Sequence, residues 1–340
     1  MFDAMLRASL RACILAPLML PPALASAEPV TLKFAFFTSD RSQIYQAELK
    51  PFVDAVNADG QGIVHIDVYF SNSISNVESA QPQIVSDGAA DMAMVVLGSV
   101  GDRFHDTLSM ALPGMFRTSR EGSRVFEQLA RGGLLDGYED YFVVGAWVSD
   151  PENIHSRKPV ASLADLKGLT VRVNNSIEAK TLEKFGAIPV LLPVNTTNDA
   201  MGKGIVDAVT IPPFMLFEFG LNRVTTYHYM IGLGGAPTAL LMNRKKFESL
   251  PPAAQAIIRK YSGAWLIDRS TSQLEALDRS IVENLKSDSR RSVVFPSPED
   301  SRTIHDVYRS IVAEYAAASD HNRKLVDRIE AEIIKLRAGE

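Results

Sequence analysis

The sequence predicts an α/β protein of two lobes, each a mostly parallel sheet flanked by helices, with a cleft between them. Three observations carry this expectation. Two β-α-β-α-β successions follow one another along the chain. The length of 340 residues suits two domains as a prior. From Pro251 onward the pattern turns mostly helical. Hydrophobic residues make up 46% of the chain and charged residues 22%, enough apolar material for a core in each lobe. The formal net charge of −5 gives no ground for nucleic acid or an anionic membrane as partner. The single cysteine, Cys13, excludes a disulfide framework and cysteine-ligated zinc or iron–sulfur sites.

The first 27 residues read as a cleaved secretory signal peptide. Arg7 and Arg11 precede an apolar run from Ala12 to Leu20, Pro21 and Pro22 break it, and Ala25-Ser26-Ala27 supplies small residues for cleavage after Ala27. The run is shorter than the roughly 20 apolar residues that span a bilayer. Leu10-Arg11-Ala12-Cys13 is not a lipoprotein box, because the apolar core follows the cysteine. No later stretch is apolar enough to cross a membrane. Without the leader the chain has no cysteine, which suits an oxidising compartment.

The elements follow in order. Thr31–Phe37 is an apolar, aromatic-rich strand. Ser42–Val56 has Leu49, Phe52, Val53 and Val56 at helical spacing, with a kink or break expected at Pro51. Val64–Phe70 is a second strand, and Val77–Val85 a short helix stopped near Asp87-Gly88. Asp91–Val96, apolar after Asp91, reads as a strand buried on both faces. Phe142–Val148 is a further strand. Ser162 caps a short helix ended by Gly168, Thr170–Val173 is a strand, and Ser176 caps a helix to Phe185. Ile188–Leu192 and Val206–Thr210 are strands separated by a helix near Asn198–Lys203. Pro251-Pro252 opens a helix that runs on to about Ser287 with a bend near Gly263. Val293–Phe295 can form a strand, and Glu299–Leu336 two helices meeting near Asp320-His321. Ligands of open parallel sheets bind beyond the carboxyl ends of strands, here the segments after Phe37, Val96, Val173 and Thr210.

Catalytic signatures are missing. There is no G-x-S-x-G elbow and no phosphate-binding G-x-x-x-x-G-K-[ST]. Gly232-Leu233-Gly234-Gly235 only resembles part of a dinucleotide loop. His65, His105, His155, His228, His305 and His321 show no metal-binding spacing and read as surface or satisfied polar residues. Arg172 stands out, inside the apolar strand Leu169-Thr170-Val171-Arg172-Val173. It must reach the sheet's polar end, pair with a carboxylate of the protein, or meet an anionic ligand. Its planar fork suits bidentate capture of a carboxylate.

The stretch from Ser162 to Val173 resembles the signature of TRAP-type solute-binding proteins, the receptors of tripartite ATP-independent periplasmic transporters. Gly186–Val190 and Gly204–Ala208 follow at that family's spacing, and Asp87–Ala93 matches its third-strand motif. Leu112-Pro113-Gly114-Met115-Phe116 is similar to its Leu-Pro-Phe segment, with Gly114 departing from it. Tyr227-His228, Leu240–Asn243 and Leu250–Pro252 also fit. The resemblance spans roughly Val30 to Leu336.

The resemblance implies a two-lobed periplasmic binding protein fold with a long hinge helix. Residues 28–148 would form the first lobe, with later chain returning to it; 149–250 the second; and 251–340 the hinge and C-terminal helices. It implies a receptor for an organic acid anion, with Arg172 as the carboxylate clamp. Phe37, Thr38, Leu97, Asn174 and Phe214 would shape the pocket, and Ser149 and Glu152 stand where the family places ligand contacts. Sialic acid binders carry an asparagine at the position of Ile211 and a second arginine near Glu152, so such a sugar acid is disfavoured. Phe37, Ile211, Phe214 and Phe217 suggest an apolar wall, or else core packing, and favour a 2-oxo or aromatic monocarboxylate. The expected partners are the small and large TRAP membrane subunits. No cofactor, metal or catalytic residue is expected. A periplasmic sensor module, or an enzyme acting on a small acid, is the alternative.

Overall fold

The computed structural model describes residues 28–339. The expected leader lies outside the described residues. Two sheets organise the chain. The first contains β1 (Val30–Phe36), β2 (Val64–Phe70), β3 (Met92–Val96), β4 (Tyr141–Val148) and β10 (Pro237–Asn243), in the order β2-β1-β3-β10-β4. The second contains β5 (Asn153–Ser156), β6 (Thr170–Val173), β7 (Ile188–Leu191), β8 (Ala208–Ile211), β9 (Tyr227–Tyr229) and β11 (Ser292–Val294), in the order β11-β9-β5-β8-β6-β7.

Each sheet has a parallel heart where the β-α-β-α-β pattern lies. Val30 of β1 pairs with Val64 of β2, and Phe34 with Met92 of β3. β6 lies parallel to both β7 and β8. Helices cover both faces of β3, and all five of its residues are buried, as its unbroken apolar run requires. Antiparallel strands complete both sheets. β10 falls within 149–250 yet pairs with β3 and β4 in the first sheet, Thr238 opposite both Val96 and Trp147. β5, β9 and β10 escaped the sequence reading because the first two are short and none is set off by periodicity from its neighbours.

The chain passes between sheets twice in extended form. Residues 149–152 join β4 to β5, and residues 230–236 join β9 to β10. The two crossings hydrogen-bond to each other, Ser149 N–H to Ala236 O at 3.0 Å and Leu233 N–H to Glu152 O at 2.8 Å. The glycine run therefore serves close backbone packing rather than a phosphate. A Cβ on Gly234 would stand 2.0 Å from Ala111 O, and one on Gly235 2.3 Å from Ser149 O.

A 24-residue helix, Ala264–Ser287, makes the third connection and spans about 36 Å at 1.5 Å per residue. Near its start Ser270 Oγ accepts from Trp147 Nε1–H at 2.6 Å, in the first lobe. Two turns later Asp278 Oδ1 accepts from the Phe214 N–H at 2.6 Å, beside the second sheet. The sequence reading expected one bent helix from Pro252. The structure has two, Pro252–Tyr261 and Ala264–Ser287, because Gly263 sits at φ 63° and ψ −129°, a conformation that breaks the helical ladder.

Other local expectations need similar adjustment. Asn175, not Ser176, caps the helix Ser176–Lys184; its side chain accepts from the Ile177 and Glu178 N–H groups. The helix read as Ser42–Val56 is a π-helical turn, Tyr45–Leu49, followed by an α-helix over Lys50–Asp59. Pro51 falls in the first α-turn, where a missing N–H costs nothing. The helix Ser119–Arg131, unforeseen in the sequence, is capped by Thr118. The last two helices, Pro298–Ala317 and Asp320–Ala338, return to different lobes. Ile304 and Tyr308 pack in the second lobe's core, and Leu325, Ile329 and Ile333 in the first's.

Candidate functional site

The carboxyl ends of the parallel strands face each other across a narrow slot. Phe37, Met94 and Val96 come from the first sheet, Arg172 and Ile211 from the second, and Ser149 and Glu152 from a crossing. The turn after β8 adds Phe214, Met215 and Phe219. The slot is mostly apolar and small, with a cavity volume of about 40 Å³.

Arg172 is 1% exposed. It is held from β6 by two carbonyls: Nε–H donates to Leu192 O at 2.8 Å and Nη1–H to Thr210 O at 3.4 Å. Among the described residues no carboxylate forms an ion pair with it, although Glu152, Glu178 and Glu78 are near enough to raise its pKa against the lowering effect of burial. A guanidinium has five N–H donors, so three remain for a ligand. Arg172 thus takes neither the polar sheet end nor an internal salt bridge.

The acids around it are organised. Glu178 accepts from the Asn174 N–H at 3.0 Å, from the Thr210 hydroxyl at 2.7 Å and from the Asn175 amide. Glu152, 1% exposed, has an oxygen without a partner among the described residues. Burial and the adjacent Glu178 carboxyl push the Glu152 pKa well up. Burial raises the Glu178 pKa too, against the lowering pull of the Asn174 N–H, the Thr210 hydroxyl and Arg172.

Seven of the nine residues selected from sequence line the slot: Phe37, Ser149, Glu152, Arg172, Asn174, Ile211 and Phe214. Thr38 and Leu97 are not among the lining residues, although the Thr38 hydroxyl is buried without a partner among the described residues. The Thr38 carbonyl closes a turn by accepting from the Ser71 N–H at 2.8 Å. Leu97 starts a 3₁₀ turn that sends its side chain into the first lobe's core with Ala35, Val95 and Phe104. Phe217 is 48% exposed on the outer face, and Phe219 lines the slot instead. The sequence reading missed Ile44 and Glu48. The available signal was an acid on an apolar stripe, since Ile44, Glu48 and Phe52 follow one another at four-residue spacing.

Two other features stand apart from the slot. A wider depression of about 350 Å³ on the first lobe carries Arg131, Arg244 and Arg259, all committed: to Glu127, to the Tyr141 carbonyl, and to the rings of Phe142 and Phe247. His321 Nε2 and His105 Nε2 lie 2.7 and 3.1 Å from Asp106 Oδ1, and with Asp136 their ligand atoms fall within 4.8 Å of one another. That network ties the last helix to the first lobe. His155 and His228, buried with Nδ1 atoms 2.8 Å apart, are held neutral by burial. They join β5 to β9 as core residues.

The chain matches the family model described as bacterial extracellular solute-binding protein, family 7, over residues 34–319. It is 23% identical over 229 residues to the 2,3-diketo-L-gulonate-binding periplasmic protein YiaO of Escherichia coli, covering 66% of this chain and 69% of that one. Among solved structures, a marine metagenome TRAP solute-binding protein specific for aromatic acid ligands, in complex with metahydroxyphenylacetate, superposes with a TM-score of 0.84 at 24% identity, covering 90% of this chain and 99% of that one. A TRAP solute-binding protein from Rhodoferax ferrireducens in complex with copurified benzoate gives a TM-score of 0.83 at 24% identity, with coverage of 90% and 98%. The family match runs from within β1 past the helix Pro298–Ala317 and so takes in both crossings and the long helix: the chain belongs to bacterial extracellular solute-binding protein family 7.

Proposed function

We propose that this chain captures a small organic acid anion between its lobes and delivers it to the small and large TRAP membrane subunits, without covalent chemistry. The observation that carries the reading is Arg172, buried in the slot with three donors left over. A carboxylate there gains charge-assisted hydrogen bonds in fixed orientation. The apolar walls from Phe37, Ile211 and Phe214 favour an acid with an apolar body, aromatic or 2-oxo. Metahydroxyphenylacetate and benzoate, bound by two relatives, are of the aromatic kind. The slot is too small for such an acid as it stands, so the lobes part to admit it, bending at the crossings 149–152 and 230–236. Closing again excludes water and strengthens the Arg172 contact. Export follows from the leader, cleaved after Ala27.

A thermal-shift screen over organic acids tests the reading. Binders raise Tm by mass action, and aromatic or 2-oxo monocarboxylates are expected among them. A flat response across the whole set refutes it. Mass spectrometry of the exported protein tests the leader, with a mature chain beginning far from Glu28 as the contrary result.

A further inference from the structure

The slot has two chemically different ends. Arg172 marks one, and the charged groups that act on it are Glu152, Glu178 and Glu78. Glu48 marks the other, and the charged groups that act on it are Glu218 and Asp150. Glu48 comes from the π-helical turn Tyr45–Leu49 of the first lobe and Arg172 from β6 of the second, so the slot receives them from opposite lobes. Apolar side chains, among them Phe37 and Phe214, stand along the slot.

Glu48 is 5% exposed and lines the slot, and its Oε2 is buried without a hydrogen-bond partner among the described residues. A buried carboxyl left in that state costs free energy unless something else satisfies it. The backbone that places it is also unusual. Glu48 lies in the π-helical turn Tyr45–Leu49, a local distortion that recurs at functional sites. Among the described residues no salt bridge or capping bond explains the acid at this position. Glu152 and Glu78 also have unpartnered oxygens, but Glu152 adjoins Arg172 and Glu178, and Glu78 does not line the slot.

Building on the carboxylate reading above, we propose that the ligand is bifunctional: a carboxylate held by Arg172 and, at its far end, a hydrogen-bond donor received by Glu48. The donor is a hydroxyl or an ammonium group. Burial and the neighbouring acids hold the Glu48 pKa at about 8, so the carboxyl enters the slot neutral near pH 7. A neutral carboxyl accepts from a hydroxyl through its carbonyl oxygen. An ammonium group instead drives the Glu48 proton into solvent and pairs with the carboxylate.

Two matched series test this by titration calorimetry on the full protein: phenylacetate against its 3-hydroxy and 3-aminomethyl derivatives, and pentanoate against 5-hydroxypentanoate and 5-aminopentanoate. In at least one series a donor-bearing acid is expected to bind at least tenfold more tightly than its parent. Glu48→Leu should abolish that margin, so that each donor-bearing acid binds the variant no more tightly than its own parent does. Glu48→Gln should keep the margin for a hydroxyl, since an amide carbonyl still accepts, and lose it for an ammonium. Proton release, read from the dependence of heat on buffer, is expected only with the ammonium ligands. Equal binding of parent and derivatives, or a margin that survives Glu48→Leu, overturns the Glu48 inference. If parents and derivatives bind equally but still depend on Arg172, the carboxylate reading stands and this one falls. If no member of either series binds, both fall.

Discussion

Replacing Arg172 is the most direct challenge to the binding reading. Its guanidinium is 1% exposed and spends two donors on Leu192 O and Thr210 O. A bidentate carboxylate takes two of the remaining three. Truncating one partner of a buried, hydrogen-bonded charge pair costs about 2–5 kcal/mol. The upper half of that range is expected here, because in Arg172→Ala the ligand anion meets the buried acids around the site with no opposing cation. The loss in affinity is then at least about 300-fold and extends to several thousand-fold. Arg172→Lys should fall between, since a point charge on a flexible stem cannot supply the fork. Calorimetry with the tightest acid from the screen measures both, and melting curves of the unliganded variants verify that the lobes still fold. Arg172→Ala binding within threefold of the natural chain refutes the clamp, and Arg172→Lys matching the natural chain refutes the bidentate geometry.

Two further outcomes concern the frame of the site. Asp278, buried beside Asp150, has its pKa pushed up to about 9 by burial and by that neighbour, against an ordinary value near 4. The folded state therefore holds a proton that the unfolded chain has lost between those values, and this group makes stability fall as pH rises from about 4 to about 9. Asp278→Asn keeps the acceptor for the Phe214 N–H and replaces the shared proton by an amide N–H, so its Tm should match the natural chain near pH 5 and exceed it at pH 8. Parallel Tm profiles across that range would falsify the shared-proton account. Gly234→Ala places a Cβ 2.0 Å from the Ala111 carbonyl oxygen, a backbone atom that cannot swing away. Urea unfolding should show a loss of about 1–3 kcal/mol, and an unchanged midpoint would mean the crossing is slack.

Much of the frame was legible because it depends on local pattern. β3 announced itself through an unbroken apolar run, and the first parallel unit through alternating strand and helix signals. Arg172 was legible because a charged residue inside an apolar strand is anomalous in any fold. The direction of Leu97 was not legible for a geometric reason. A residue one position beyond a strand end points to either face according to the turn that follows, and the 3₁₀ turn at Leu97 sends it into the core. Phe217, on the short helix Met215–Glu218, is exposed, and Phe219 at the C-cap of that helix lines the slot.

The sequence by itself determined the two-lobed α/β plan, the anomalous arginine and the strand ends around which a ligand would sit. These follow from periodicity and from the cost of burying charge, which act over a few neighbouring residues. Only the tertiary structure decided that β10 returns to the first sheet, that Gly234 and Gly235 lie where two crossings touch, and that Glu48 faces the same slot as Arg172. Glu48 and Arg172 are far apart in sequence and on different lobes, and no local pattern relates them. Their relation arises only when 149–152, 230–236 and Ala264–Ser287 join the two sheets, bringing an acid with an unpartnered oxygen and a base with donors to spare to one slot.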